Sequence, residues 1–290
     1  MLKNNVEMSM YSSMKTGGIA KKCYFPESIE ELCDVLKTLK QTGEKHYVLG
    51  NMSNVLIPDG EIPFVPVITT KINSYKITEN EDGTVSVYAE SGAMLTKTAY
   101  EMCKAGYSGM EFAYGIPGTV GGAVFMNAGA YGSEIANIAE YVDCYDVEND
   151  SVIRISAKDC NFGYRSSAFQ NNGYVILGCC FALSKGNVNE IVSTAKEIMQ
   201  KRIDKQPLEY PSCGSTFKRP EGYFAGDLIE RSGLKGCSIG GACVSEKHAG
   251  FIINRGGATT EEVLALIEHV KSKVKENFDV ELEQEIRVLE

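Results

Sequence analysis

Between Gly115 and Gly132 the chain reads GIPGTVGGAVFMNAGAYG, where six of eighteen residues are glycine and three are alanine. A flexible linker would be polar and serine-rich. This run instead carries Ile116, Val120, Val124, Phe125, Met126 and Tyr131, so it belongs to an ordered part of the fold. Glycine among apolar residues means either that the backbone bends where a Cβ forbids it or that another group comes close. A second loop of similar texture, GNMSN at Gly50–Asn54, follows the strand-like KHYVLG. Neither loop fits G-x-G-x-x-G opening a helix or G-x-x-x-x-G-K-[ST], which argues against a Rossmann domain and a P-loop. Successive N–H groups in such loops can cradle phosphate oxygens. Two Gly/Asn loops therefore point to a dinucleotide held at two places, with tight turns packed under a sheet as the alternative.

A chain of 290 residues, 43% hydrophobic and 23% charged, is long enough for one large or two ordinary domains. Its net charge of −9 disfavours a general nucleic-acid binder. No apolar run reaches the roughly 18 residues of a membrane span. The opening MLKNNVEMSMYSSMKTGG lacks a signal-peptide core. The expectation is a cytoplasmic protein with neither a nucleic-acid nor a membrane partner. Ten cysteines without a C-x-x-C pair, and only three histidines, offer little for a zinc site. They are read as reduced, mostly buried thiols, and no metal is expected.

Periodicity places the elements. Ile29, Leu32, Val35, Leu36 and Leu39 recur at helical spacing behind a Ser28/Glu31 capping box, and Gly43 stops the helix. KHYVLG, FVPVITT and VSVYAESG read as strands, and Leu95–Tyr107 as a helix ended near Gly106. YVDCYDVE, SVIRI and YVILGCCFAL read as a meander. A helix follows from about residue 188 to Pro207, and another after the Thr259/Glu262 capping box. In the tail VELEQEIRVLE, Val280, Leu282, Ile286 and Val288 take one face of a strand, and Glu281, Glu283, Glu285 and Arg287 the other. The fold class is α+β, with a domain boundary near residue 186 between an N-terminal domain (1–185, in lobes of about 1–70 and 71–185) and a smaller C-terminal domain (186–290).

Five motifs appear in order: YVLGNMSNVLIPDG, GIPGTVGGAVFMNAGAYG, FGYRSSAF, the long segment PSCGSTFKRPEGYFAGDLIERSGLKGCSIGGACVSEKHAGFIINRGGAT, and EQEIRVL. Together, over about Lys15 to Leu289, the chain resembles the UDP-N-acetylenolpyruvoylglucosamine reductase (MurB) family. The resemblance implies a two-part FAD-binding domain of the vanillyl-alcohol-oxidase type followed by a substrate-binding domain. It implies non-covalent FAD held by Gly50, Asn51, Met52, Ser53 and Asn54 and by Gly115, Pro117, Gly118, Thr119, Gly122, Asn127, Gly129 and Ala130. On this reading the small residues let the loop backbone touch the cofactor. NADPH would reduce FAD, and flavin N5 would deliver hydride to the enolpyruvyl ether of UDP-N-acetylglucosamine, giving UDP-N-acetylmuramate for peptidoglycan synthesis. The expected working state is a monomer.

That reaction implies three protein roles. Ser215 of GSTFKRP matches the family's proton donor, and a serine must be oriented and its alkoxide stabilised to serve as one. Arg165 of GYRSS matches the arginine whose planar fork suits a carboxylate. Glu285 of QEIRV matches the family glutamate. Beside developing negative charge it must be protonated or paired, so it is expected to contact Arg165 or to carry a raised pKa. Arg202, Lys205, Lys218 and Arg219 are substrate candidates by family position, Arg219 standing where many members have asparagine; Tyr164 is a substrate candidate near the reacting centre, and His248 is read as a structural hydrogen-bonder. Taken singly, each of these residues has a plainer role as a turn, a surface ion pair or a solvated face.

Two departures stand out. Met52 occupies a position where many members have glycine. A positive φ there would cost a methionine about 1 kcal/mol, and the reading is an unstrained loop. Little chain separates Arg165 from Pro211, which suits the shorter branch of the family, without the extra tyrosine loop. The competing readings are another FAD oxidoreductase of the same fold class and a non-catalytic flavin or UDP-sugar sensor. The C-terminal motifs and the joint presence of Ser215, Arg165 and Glu285 speak against them.

Overall fold

Helix α1 (Ile29–Thr42) forms where the apolar spacing places it. In a computed structural model describing all 290 residues, Leu32, Leu36 and Leu39 are wholly buried. Each contributes about 1.5–3 kcal/mol of burial. The Ser28 side chain accepts from the Glu31 N–H, and Gly43 closes the helix at φ +67. Only half of the expected capping box forms, because the Glu31 carboxylate accepts from the N–H of Glu27 instead. α1 packs on two parallel strands, His46–Leu49 and Val65–Ile68, in register Val48 to Val67.

A larger antiparallel sheet holds the second core. Its central strand, Val175–Lys185, pairs with Ala139–Asp146 on one side and Thr84–Glu90 on the other. Ser151–Ser156 pairs with the outer edge of Ala139–Asp146. The expected meander is thus corrected: the third strand lies beside the first, not the second. Strand periodicity cannot tell which neighbour a strand selects. Helices α2 (Leu95–Lys104) and α3 (Val120–Phe125) supply part of the same core. α2 stops three residues short of Tyr107, before Gly106 turns at φ +84. Helix α4 (Val188–Lys205) follows the sheet.

The chain divides into two compact units, and they are not its two halves. One comprises Met1–Lys3, Cys23–Asn51 and Val65–Lys201; the other comprises Asn4–Lys22, Met52–Phe64 and Arg202–Glu290. Two short N-terminal segments thus fold with the C-terminal part. The pairing explains it: Val55–Leu56 runs parallel to Arg287–Val288, and Thr260 Oγ1 bonds to Ile57 O and Thr16 Oγ1. The core of this unit gathers around α5 (Ala225–Arg231) and α6 (Thr260–Phe278). At α6 both arms of the Thr259/Glu262 capping box form.

The C-terminal tail departs from the expected continuous strand. Only Arg287–Val288 is strand, Val288 is 36% exposed, and Leu289 is buried. The tail changes partner midway. Lys218 N donates to Glu283 O, and Glu285 N donates to Thr216 O, whereas Arg287 N donates to Asn54 O. Switching ladders at Ile286 breaks the two-residue period. All ten cysteines are free thiols, eight of them buried. No helix is long and apolar enough to cross a membrane.

Candidate active site

The two glycine-bearing loops meet inside the first unit. Asn51 Nδ2 donates to Pro117 O at 2.6 Å. A Cβ on Gly50 would stand 2.1 Å from Thr119 Oγ1. Thr119, itself buried, caps α3 by accepting from Gly122 N. Leu95 N, Val120 N and Gly121 N bond to Gly118 O, Ala93 O and Ser91 O, stitching the loop to its neighbour. A Cβ on Gly121 would meet Ser91 Cβ at 2.9 Å. At Gly50 and Gly121 the close neighbour is the protein itself, so here the missing Cβ serves the packing of one loop against the other chain segment. Gly122 differs. It is exposed, and the nearest atom to its would-be Cβ is Thr119 Oγ1 at 3.6 Å. That opening is where a bound group could lie against the loop backbone.

Asn127 has φ +44 and is wholly buried. Its Nδ2 donates to Gly163 O, and its Oδ1 accepts from Ala136 N. Both ends of the amide thus hold backbone, which leaves its main chain as the part that could meet a cofactor. Arg165 follows in a tight turn closed by reciprocal bonds between Gly163 and Ser166. Its φ is +54, its Nη2 donates to Gly129 O at 3.1 Å, and its guanidinium lies 5.0 Å from the Tyr164 ring centre. Tyr164 is exposed, and Gly129 and Ala130 form a small hairpin with Ser133 and Glu134.

In the second unit Met52 sits at φ +49, which corrects the unstrained reading, and it is 4% exposed. Burying the side chain, worth about 1.5–3 kcal/mol, outweighs about 1 kcal/mol of backbone strain. Ser53 is half-buried, and Asn54 Nδ2 donates to Glu285 O.

Ser215 is exposed and follows Gly214 at φ +75. The next residue anchors it. Thr216 is wholly buried, its N–H donates to Gly250 O, its carbonyl accepts from Glu285 N, and its hydroxyl accepts from Ile252 N. Ser215 and Glu285, seventy residues apart in sequence (285 − 215), are thereby held on adjoining strands of chain. Thr216 was missed in the sequence. Its one signal is a small polar residue beside Ser215, ahead of the apolar Phe217.

The substrate candidates separate by environment. Lys205 is exposed at the end of α4, whereas Arg202 is 7% exposed, with Nη1 3.4 Å from Gln206 Oε1. Lys218 pairs with Glu283, and Arg219 stacks 4.0 Å over Phe224. The cavity of about 400 Å³ beside them is also lined by Glu221, Asp279, Glu281 and Glu283. Four acids against two bases make it a poor seat for a diphosphate.

His248 packs edge-on against Phe251, and its Nδ1 accepts from Gly250 N at 3.1 Å. Burial, then the charges of Lys235 and Lys205, hold its pKa below the usual 6.5. The unfolded chain takes up a proton near 6.5 and the folded one resists it, so this stability is complete above 6.5 and is lost as pH falls through the folded value. The melting temperature of the wild type should decline between pH 7 and 5 more steeply than that of His248→Asn. Equal slopes would remove His248 as the source.

Residues 20–156 match a family of FAD binding domains, and residues 206–289 match the C-terminal domain of UDP-N-acetylenolpyruvoylglucosamine reductase. The UDP-N-acetylenolpyruvoylglucosamine reductase of Clostridium novyi is 47% identical over 288 residues, spanning 99% of this chain and 92% of that protein. The Clostridium perfringens reductase is 45% identical over 97% of this chain and 91% of its own. The crystal structure of the MurB reductase from Thermus caldophilus superposes with a TM-score of 0.85 at 30% identity, over the full length of both chains. On these likenesses the chain belongs to the UDP-N-acetylenolpyruvoylglucosamine reductase family, FAD-dependent oxidoreductases of peptidoglycan precursor synthesis.

Proposed function

We propose that the chain uses NADPH to reduce the enolpyruvyl ether of UDP-N-acetylglucosamine to the lactyl ether of UDP-N-acetylmuramate. FAD, held by the two glycine-bearing loops, would supply the hydride chemistry that links NADPH to the terminal enol-ether carbon. The chain's own residues do the rest. The loop pair Gly50–Asn51 and Pro117–Gly122 holds the cofactor, with Gly122 giving backbone access. Arg165 grips the substrate carboxylate as negative charge builds on it. Ser215 delivers the proton to the carbon next to that carboxylate, and Glu285, protonated or paired, steadies the same charge. Lys205 is the substrate candidate best placed for phosphate, being exposed and outside the acidic cavity.

The observation that supports this reading is the bond from Glu285 N to the carbonyl of buried Thr216, which brings the segment of Glu285 to the residue next to Ser215. The interval from Arg165 to Pro211 is taken up by a strand and α4, which supports the shorter branch of the family. Substrate and reductant of this kind suit the cytoplasm.

The purified protein should be yellow and release FAD on denaturation. Reduced anaerobically by NADPH and freed of excess, it should regain its oxidised absorption when UDP-N-acetylglucosamine enolpyruvate is added. Recovery only on admitting oxygen would make it an oxidase and overturn the assignment.

A further inference from the structure

Arg165 is held in a backbone conformation that costs a non-glycine residue about 1 kcal/mol. It occupies the third position of a four-residue turn, where a positive φ ordinarily selects glycine or asparagine. Left to itself, the turn would relax and carry the arginine with it. The side chain of Gln170 bears directly on this peptide. Gln170 Nε2 donates to Arg165 O at 3.1 Å and to Phe125 O, at the end of α3, also at 3.1 Å. Ser167 Oγ donates to the same Phe125 carbonyl at 2.7 Å without touching Arg165 O. At its far end the Arg165 guanidinium donates to Gly129 O. The arginine is thus fixed at both backbone and head group to the glycine-rich segment.

We propose that Gln170 is a positioning residue for Arg165, setting the direction in which the guanidinium meets the substrate carboxylate. The inference rests on the carboxylate-binding role of Arg165 given above. A planar fork grips a carboxylate through two parallel bonds only over a narrow range of angles. A turn free to leave its strained φ would therefore lose carboxylate recognition before it lost the fold.

The test compares two ligands of the flavin-loaded protein by calorimetric titration. UDP-N-acetylmuramate carries the lactyl carboxylate, and UDP-N-acetylglucosamine does not. Gln170→Met, which keeps length and removes both donors, should bind UDP-N-acetylmuramate about tenfold more weakly, the scale of one charge-assisted contact. Its binding of UDP-N-acetylglucosamine should be unchanged. Ser167→Ala, which loosens the same loop elsewhere, should lower the melting temperature without that selective loss. Gln170→Asn, too short to reach both carbonyls, should repeat the selective loss. Equal weakening toward both ligands, a selective loss in Ser167→Ala, or collapse of both Gln170 variants would assign Gln170 a structural role and overturn the proposal. Arg165→Ala separates the two levels. If it spares the carboxylate preference, the role of Arg165 falls and the proposal with it. If it abolishes the preference while Gln170→Met does not, only the role of Gln170 falls.

Discussion

Replacing Ser215 with alanine is expected to slow reoxidation of the NADPH-reduced protein by UDP-N-acetylglucosamine enolpyruvate about 100-fold or more, the scale of a positioned proton donor. Reduction of the flavin by NADPH should proceed as in the wild type, because that half-reaction needs no proton at the substrate carbon. Stability should hardly change. The Ser215 side chain is exposed, and the bonds that fix this segment belong to its buried neighbour Thr216. Anaerobic stopped-flow measurement of the two halves separates the cases. Equal slowing of both would take Ser215 out of the proton transfer.

The second large effect is expected at Gly50. An alanine there must displace Thr119 Oγ1, which would lie 2.1 Å away, with Cγ2 at 3.0 Å and Cβ at 3.1 Å. Overpacking of this kind costs about 1–3 kcal/mol, and loss of the Thr119 cap on α3 adds about 1 kcal/mol. The variant should melt earlier and retain less FAD, since the two loops proposed to hold it are pushed apart. Because the clash is with one side chain, removing that side chain should relieve it. Gly50→Ala combined with Thr119→Ala should melt higher than Gly50→Ala alone, a non-additive pair in a double-mutant cycle. Strict addition of the two losses would show that the clash is not what Gly50 avoids.

Helices were the most legible part of the chain. α1 and α6 start and stop where serine or threonine caps and a left-handed terminal residue dictate, because capping and amphipathic spacing are local effects. Strand existence was legible only in part, since Leu2–Glu7, Ile19–Tyr24 and Tyr75–Glu79 form strands that no pattern had marked, and strand partners were not legible at all. The pairing of Ala139–Asp146 with Val175–Lys185, and the tail's change of partner at Ile286, depend on neighbours distant in sequence. The alternating pattern of the tail was real up to the point where its hydrogen bonds passed from residues 216–218 to residues 54–56.

Of the site, the sequence by itself determined which side chains could do the chemistry: a serine after a glycine, an arginine in a short polar turn, and a glutamate among apolar alternation. Their order along the chain carried the family. Tertiary structure alone decided how they are held. Thr216, beside Ser215, accepts from the backbone of Glu285, Gln170 grips the strained Arg165 peptide, Asn127 spends its amide on backbone, and Gly50 makes room for Thr119. The physical reason is common to all four. A reactive group announces itself by its own chemistry, whereas a supporting group is defined by the donor, acceptor or empty space that folding brings to it.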